Sequence, residues 1–531
     1  MTQARNFQLP GRSPVRATNA AVATSHPLAS ATALDILKDG GNAIDAAVAA
    51  AAVLAVVEPQ STGIGGDGFM LYAPKGGDHV IGFNGSGRAP AAATLEFFQS
   101  RDISAITEHS PHAVTIPGII DMWSQVVADH GTRELGHLLQ DAIRYAEDGY
   151  VIADRVAFDW HRADATLSHD AATARLFKPG GHLPQVGDIH RQPALARTLR
   201  LIAEKGRDAF YKGPIAESMV KHLRALGGTH SMDDFAAARG DYVAPVSTTY
   251  RGNIVHQIPP NNQGLTALMM LNILEGFDFA SDGAISAERL HLEIEAGRLA
   301  YDIRNRMIAD PARAEVDIAT MLSKDFASRQ RQRISPSQAL ADIAPVPLRK
   351  SDTVYLCVVD RDGNAVSFIN SVYHSFGSGI MSEDTGVVLQ NRGMSFRIDE
   401  SHPNCIAPGK RPLHTIMPGM VTRDGKCLMP YGVMGGDYQP FGHVHLLQNI
   451  IDFGMDPQAA LDAPRVFATD GTVEIEDGIS AEVRAQLSAF GHKTVTAEEP
   501  LGGGQAIWID HAKGTLTAGS DPRKDGCALG Y

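Results

Sequence analysis

Apolar positions in this chain recur with two different periods. Near the beginning, Ala21 to Gly40 reads as a strand and then a helix over His26–Lys38, stopped by Gly40-Gly41. Asn42 to Val57 is an Ala-rich helix, apolar all round, and Phe69-Met70-Leu71-Tyr72-Ala73 is a strand. From Gly118 to about Leu340 the spacing is mostly helical. Apolar faces recur in Trp123–Ala128, Leu138–Asp148, Leu195–Ala203 and Leu265–Leu274, and Leu290–Ile303 predicts a charged amphipathic helix. Then the period drops to two. Val354–Val359 predicts a strand, Asp360-Arg361-Asp362-Gly363 a tight turn, and Ala365–Asn370 the returning strand. Asp-Gly between two β-branched runs is a strong hairpin signal. One late helix, about His443–Phe453, follows Gly435-Gly436. Strands toward the ends and helices in the middle predict one interleaved α/β unit, not independent domains.

Composition narrows the class. The chain has 531 residues, 44% of them hydrophobic and 20% charged, as in an ordinary globular protein. A net charge of −13 without a basic tract argues against nucleic-acid binding. The most apolar run, Ala46–Val57, is shorter than the roughly 20 residues a membrane span needs. The first ten residues carry no apolar signal-like core, so a cytoplasmic, membrane-free protein is expected. Four cysteines lack CxxC spacing, and His443 and His445, two apart, share no helix face. No metal and no cofactor are expected. Gly63-Ile64-Gly65-Gly66-Asp67-Gly68 matches GxGxxG, but a helix precedes it and a strand follows, the reverse of a dinucleotide site. These glycines instead predict close backbone approach.

The chemistry centres on Thr353. It heads the strand Val354–Val359 and follows a loose, Pro-bearing stretch from Ser335 to Lys350. Cutting the Asp352–Thr353 bond makes Thr353 an N-terminus; the plainer alternative is a Thr that merely begins a strand. A Thr hydroxyl needs a base. A free α-amine, titrating at about 7.7–8.0, can serve.

The run from Thr353 through Asp360, followed by Phe376-Gly377-Ser378-Gly379-Ile380, resembles the small-subunit start of the gamma-glutamyltransferase family of N-terminal-nucleophile hydrolases. Glu58-Pro59 with Gly63–Gly66, Pro117-Gly118, Pro259-Pro260 and Asp310-Pro311 are similar to its large subunit. Lys410-Arg411-Pro412-Leu413, Gly435-Gly436 and Ile451–Met455 follow in the same order. The resemblance implies a four-layer αββα sandwich built from both halves of a self-cleaved precursor, residues 1–352 and 353–531, together one interleaved catalytic domain. It implies a nucleophile at Thr353, a supporting hydroxyl at Ser371, and an oxyanion hole at Gly435-Gly436. By residue type alone, Ser371 is an ordinary strand serine and the glycine pair a plain turn.

The resemblance also exposes departures. The family's substrate-holding Arg falls on Ser86, its Asn on Tyr373, its Gln on Arg392 and its Asp on Ser395. Its Ser pair becomes His414-Thr415, and the lid stretch between Phe396 and Lys410 is short. The carboxylate that would hold a substrate ammonium is missing, while Arg88 and Arg392 are candidates to hold a carboxylate; for each, a surface charge is the alternative. Tyr373, His414 and Thr415 complete the expected substrate-binding set. A small acidic amide fits these changes, and the Asn84–Pro90 and Thr353–Cys357 segments look most like the oxamate amidohydrolase branch. Alternatives are a gamma-glutamyl hydrolase or transferase, a cephalosporin-type acylase, and an uncleaved, non-catalytic binding protein. Expected partners are the small amide and the chain's own two cleaved subunits, with room for a homo-oligomer of that heterodimer.

Overall fold

In the computed structural model, which describes residues 11–279, 283–341, 343 and 353–531, the predicted hairpin lies at the centre. Val354–Val359 pairs antiparallel with Ala365–Ser371 in unbroken register from Val354↔Asn370 to Val359↔Ala365. It sits inside a seven-stranded sheet running Cys527–Gly530, Ala21–Thr24, Val354–Val359, Ala365–Ser371, Asp67–Ala73, Ile81–Gly85, Asp241–Val243. A second seven-stranded sheet runs Val15–Ala17, Thr515–Ser520, Gly503–Asp510, Lys426–Met434, Gly419–Arg423, Asn253–Gln257, Val246–Tyr250. Residues from before and after position 352 therefore interleave within both sheets. The protein is mixed α/β.

The period-two pattern explains the packing. Val354, Leu356 and Val358 face one apolar cluster, which includes the helix Ala43–Val57. Tyr355, Cys357 and Val359 face another, shared with Met420, Cys427, Met434 and Ile507 of the second sheet. A third cluster joins Met429, Tyr431 and Val433 to the helices Gly264–Leu274, Ala287–Met307 and Gln439–Ile451. The helix Ala43–Val57 is buried along its whole length, as its uniform apolarity requires. Asn42 and Asp45 close its start as a capping box.

The structure corrects the element map in three places. The stretch from 118 to 340 is not all helical: Val246–Tyr250 and Asn253–Gln257 form a hairpin around Arg251-Gly252, with Asp241–Val243 before them. Their exposure alternates along each strand, the mark of sheet rather than helix. The segment Asn84–Pro90, which its Asn-Gly-Ser-Gly start marks as a turn, begins inside the strand Ile81–Gly85. The helix Ala287–Met307 lacks the expected solvated charged face, because Arg289, Glu293, Glu295 and Arg304 are all buried. They are paired instead: Arg289 and His445 with Glu293 at 3.3 and 3.1 Å, Arg298 with Glu295 at 2.8 Å. No helix among the described residues is long and apolar enough to cross a membrane.

The glycine run behaves as its composition suggests. A Cβ on Gly65 would overlap the Val388 carbonyl, and one on Gly66 the Ser371 carbonyl. Gly66→Ala should therefore push the two backbones apart and lower stability by about 1–3 kcal/mol, read as a drop in the denaturant midpoint at unchanged slope. An unchanged midpoint would show that the approach is not tight.

Candidate active site

Thr353 is buried at the head of its strand, and the hairpin register brings it beside Ser371 at the end of the partner strand. Its Oγ1 donates to Ser371 Oγ at 3.2 Å. The same Ser371 oxygen accepts the Tyr373 N–H at 2.8 Å. Tyr373 has φ +83°, a conformation that bulky residues avoid. That turn presents its ring to Arg392, whose guanidinium carbon lies 3.7 Å from the ring centroid. The expected cleavage bond involves Asp352, which lies outside the described residues.

Arg392 is fully buried and so is not a surface charge. Its Nη1 donates to Thr415 Oγ1 at 2.9 Å. The neighbouring His414 is also fully buried, and its Nε2 meets Asp67 Oδ2 at 3.1 Å. Burial, reinforced by the Arg392 cation, pushes the His414 pKa down to about 3. The ring is therefore neutral at pH 7, with Nε2–H donating to the carboxylate. Asp67 Oδ1 in turn accepts the Gly87 and Gly118 N–H groups at 2.9 and 3.1 Å and Gln390 Nε2 at 2.9 Å. Tyr373, Arg392, His414 and Thr415 thus form one connected group next to Thr353 and Ser371. Arg88 is held by other partners: Gly409 O at 3.2 Å and Asp241 at 3.3 Å, with its side chain about a third exposed.

Gly435 and Gly436 follow the strand Lys426–Met434 and open a short turn that leads into the helix Gln439–Ile451. Their φ angles, +119° and +61°, suit glycine. A Cβ on Gly435 would come within 2.9 Å of the Gly502 Cα. N–H groups at a helix start lack intrahelical partners and carry the positive end of its dipole. This is a natural place to stabilise an oxyanion.

Three residues that the sequence reading did not single out tie these parts together. Gln263 Nε2 donates to Thr415 O at 2.5 Å and to Gly436 O at 3.1 Å. Arg304 Nη1 donates to Gln263 Oε1 at 2.7 Å and to Asp437 Oδ1 at 2.6 Å. One amide thus sets the spacing between the glycine pair and the Arg392–Thr415 contact. Gln263 stands just before the predicted helix Leu265–Leu274, Arg304 just past the predicted helix Leu290–Ile303, and Asp437 just after the glycine pair, so none carries a local signal of its role.

Two cavities border the group. One of about 50 Å³ is lined by Tyr373, Ser395, Thr415, Arg304 and Asp437, among others. The other, about 510 Å³, meets Met434, Gly435, Tyr438, Gly502 and His374. Among the described residues, the sole carboxylate on the small cavity, Asp437, is already paired with Arg304. His443 and His445 are both buried and engaged elsewhere, with Gln257 and Glu293.

Comparison with known proteins gives the site its context. The gamma-glutamyltranspeptidase family model matches residues 29–531. The chain is 40% identical over 523 residues to the glutathione hydrolase-like YwrD proenzyme of Bacillus subtilis, covering 97% of this chain and 98% of that one. It is 36% identical over 531 residues to the oxamate amidohydrolase proenzyme of Klebsiella pneumoniae, covering 97% and 99%. Among solved structures, a cephalosporin acylase from Bacillus halodurans superimposes with a TM-score of 0.92 at 39% identity, covering 100% of this chain and 99% of the other. The chain is therefore an enzyme that belongs to the gamma-glutamyltranspeptidase family of N-terminal-nucleophile hydrolases and acylases.

Proposed function

We propose that this protein is a self-cleaved N-terminal Thr amidohydrolase acting on a small acidic amide, oxamate in the first place. The observation that carries the substrate reading is the buried Arg392, stacked on Tyr373 and bonded to Thr415 beside the nucleophile candidate. The two sheets and the helices on their outer faces are read as the four-layer αββα sandwich, with residues 1–352 and 353–531 as its two subunits. Support comes from the alternation of Val354–Val359 between two clusters, one of them shared by both sheets.

In the precursor, Thr353 Oγ attacks the Asp352 carbonyl; the acyl group passes from nitrogen to oxygen, and water hydrolyses the ester. Thr353 then has a free α-amine. In turnover that amine takes the hydroxyl proton as Oγ attacks the amide carbon, and returns it to the departing ammonia. Ser371 holds the hydroxyl, and the Gly435 and Gly436 N–H groups receive the oxyanion. Water hydrolyses the acyl-enzyme and releases oxalate. Arg392 holds the distal carboxylate by charge-assisted hydrogen bonding. Beside Tyr373 and Thr415, the two contacts of Arg392, a cavity of about 50 Å³ takes roughly three to five waters at 10–15 Å³ each, the space of a small ligand. The gamma-glutamyl reading is favoured by the glutathione hydrolase-like relative and by Asp437 on the cavity wall.

Intact mass of purified protein should show two pieces, residues 1–352 and 353–531, and Thr353→Ala should remain whole. An active enzyme that stays uncut would overturn the mechanism. Gly436→Val should lower kcat by about 10²–10³ while changing KM little; a variant that cleaves itself and turns over normally removes the oxyanion assignment. Ammonia release, measured on one cleaved preparation, should be fast from oxamate and slow from glutamine, with little gamma-glutamyl transfer from glutathione. Both Arg392→Ala and Arg392→Lys should impair oxamate turnover yet leave self-cleavage intact, since a flexible ammonium does not replace a stacked guanidinium. Faster consumption of glutathione or glutamine would install the gamma-glutamyl reading instead.

A further inference from the structure

Away from the nucleophile, three side chains that no step above uses converge where the two halves of the chain meet. His291 and Glu295 lie one turn apart on the helix Ala287–Met307 and share a face. His492 comes from just beyond the helix Ala481–Ala489. All three are buried, with one candidate ligand atom from each within 4.8 Å of the others. His291 Nδ1 and His492 Nε2 are 2.7 Å apart. His291 Nε2 contacts the Ser335 carbonyl at 2.8 Å. A carbonyl only accepts, so in the neutral ring the His291 proton is on Nε2, and the Nδ1 lone pair faces His492. An imidazole whose far nitrogen donates to a carbonyl is held in the tautomer and orientation of a metal ligand. The Glu295 carboxylate is likewise oriented, by Arg298 at 2.8 Å and by the Leu340 N–H at 2.8 Å. A cavity of about 110 Å³ opens at His492, bordered also by Arg298, Leu340 and Ile343.

We propose that His291, Glu295 and His492 bind a divalent transition-metal ion of the zinc class, bracing residues before position 353 against residues after it. Two imidazoles and a carboxylate suit zinc, with the cavity supplying an entry path and room for water as the fourth ligand. The ligands must bind as neutral imidazoles. In the ion-free cluster His492 Nε2 carries the proton that His291 Nδ1 accepts. Binding moves that proton to His492 Nδ1, so that both facing lone pairs reach the ion. At about 2.0–2.1 Å per bond and tetrahedral angles, the two nitrogens sit about 3.3–3.4 Å apart. The rings therefore separate by a little over half an ångström. The ligands also grip the chain that leads toward Thr353, because Ser335 and Leu340 are their hydrogen-bond partners. The sequence hid this set: one ligand pair is four residues apart on a helix, and the third follows about 200 positions later.

The full-length protein, stripped with chelator and dialysed, is titrated with zinc chloride against a chromophoric competitor. Cobalt(II) is then added to a separate stripped sample to read its visible absorption. One tight zinc equivalent per chain is expected, with cobalt bands of a low-coordinate nitrogen and oxygen site and a rise in Tm. His492→Ala and Glu295→Gln should each weaken this binding by roughly 100-fold or more and abolish both the bands and the Tm rise. If His492→Ala does not fold, the nearly isosteric Glu295→Gln decides together with the wild-type cobalt spectrum. A wild-type protein that takes up no tight zinc overturns the proposal, as do variants that bind like wild type; the cluster is then a hydrogen-bonded histidine pair alone.

Discussion

The antiparallel register between Val354–Val359 and Ala365–Ser371 is the constraint on which the site depends. A strand has period two, so a slip of one residue would turn every side chain to the opposite face. Tyr355 and Cys357 would leave the cluster between the sheets, and Thr353 would no longer sit beside Ser371. The close approach of Gly66 to the Ser371 carbonyl fixes the same register from the neighbouring strand. Position of the hydroxyl is thus set by backbone geometry, not by a flexible side chain.

Around this hairpin the protein keeps charge inside. Arg392, Arg304, Asp437 and Asp67 are all buried. Such groups persist only where each is matched, because desolvating an unpaired ion is costly. Arg304 meets both Asp437 and Gln263, and Asp67 collects two backbone N–H groups, an amide and an imidazole. Removing one member of a buried pair typically costs about 3–5 kcal/mol. The network therefore fixes the Arg392–Thr415 side of the candidate site, and fixed geometry is what orientation of a small ligand requires.

What could be read beforehand follows from how local the signal is. The central hairpin, the buried Ala-rich helix and the glycine run were legible because their patterns lie within a few residues. The hairpin Val246–Gln257 was missed because it is an edge, half exposed, inside a long helical stretch. Arg88 and Arg392 looked alike as residues, yet the fold leaves one on Asp241 near the surface and seals the other against Tyr373. Gln263, Asp67 and Arg304 gave little signal because their partners are distant in sequence: 347 positions separate Asp67 from His414. The charged helix Ala287–Met307 read as solvated for the same reason, since its partners come from elsewhere.

The interleaving of the two sheets has a consequence for how the molecule ages. Val354–Val359 lies between Ala21–Thr24 and Ala365–Ser371, which in turn lies against Asp67–Ala73. In one continuous chain these strands find each other at the effective concentration of a tethered loop. If the chain is cut before Thr353, as we propose, the tether is lost, and reassembly after unfolding becomes a bimolecular search between two fragments, each lacking about half of both seven-stranded sheets. The working enzyme would then persist by the height of its unfolding barrier rather than by reversible equilibrium, a kinetically held assembly.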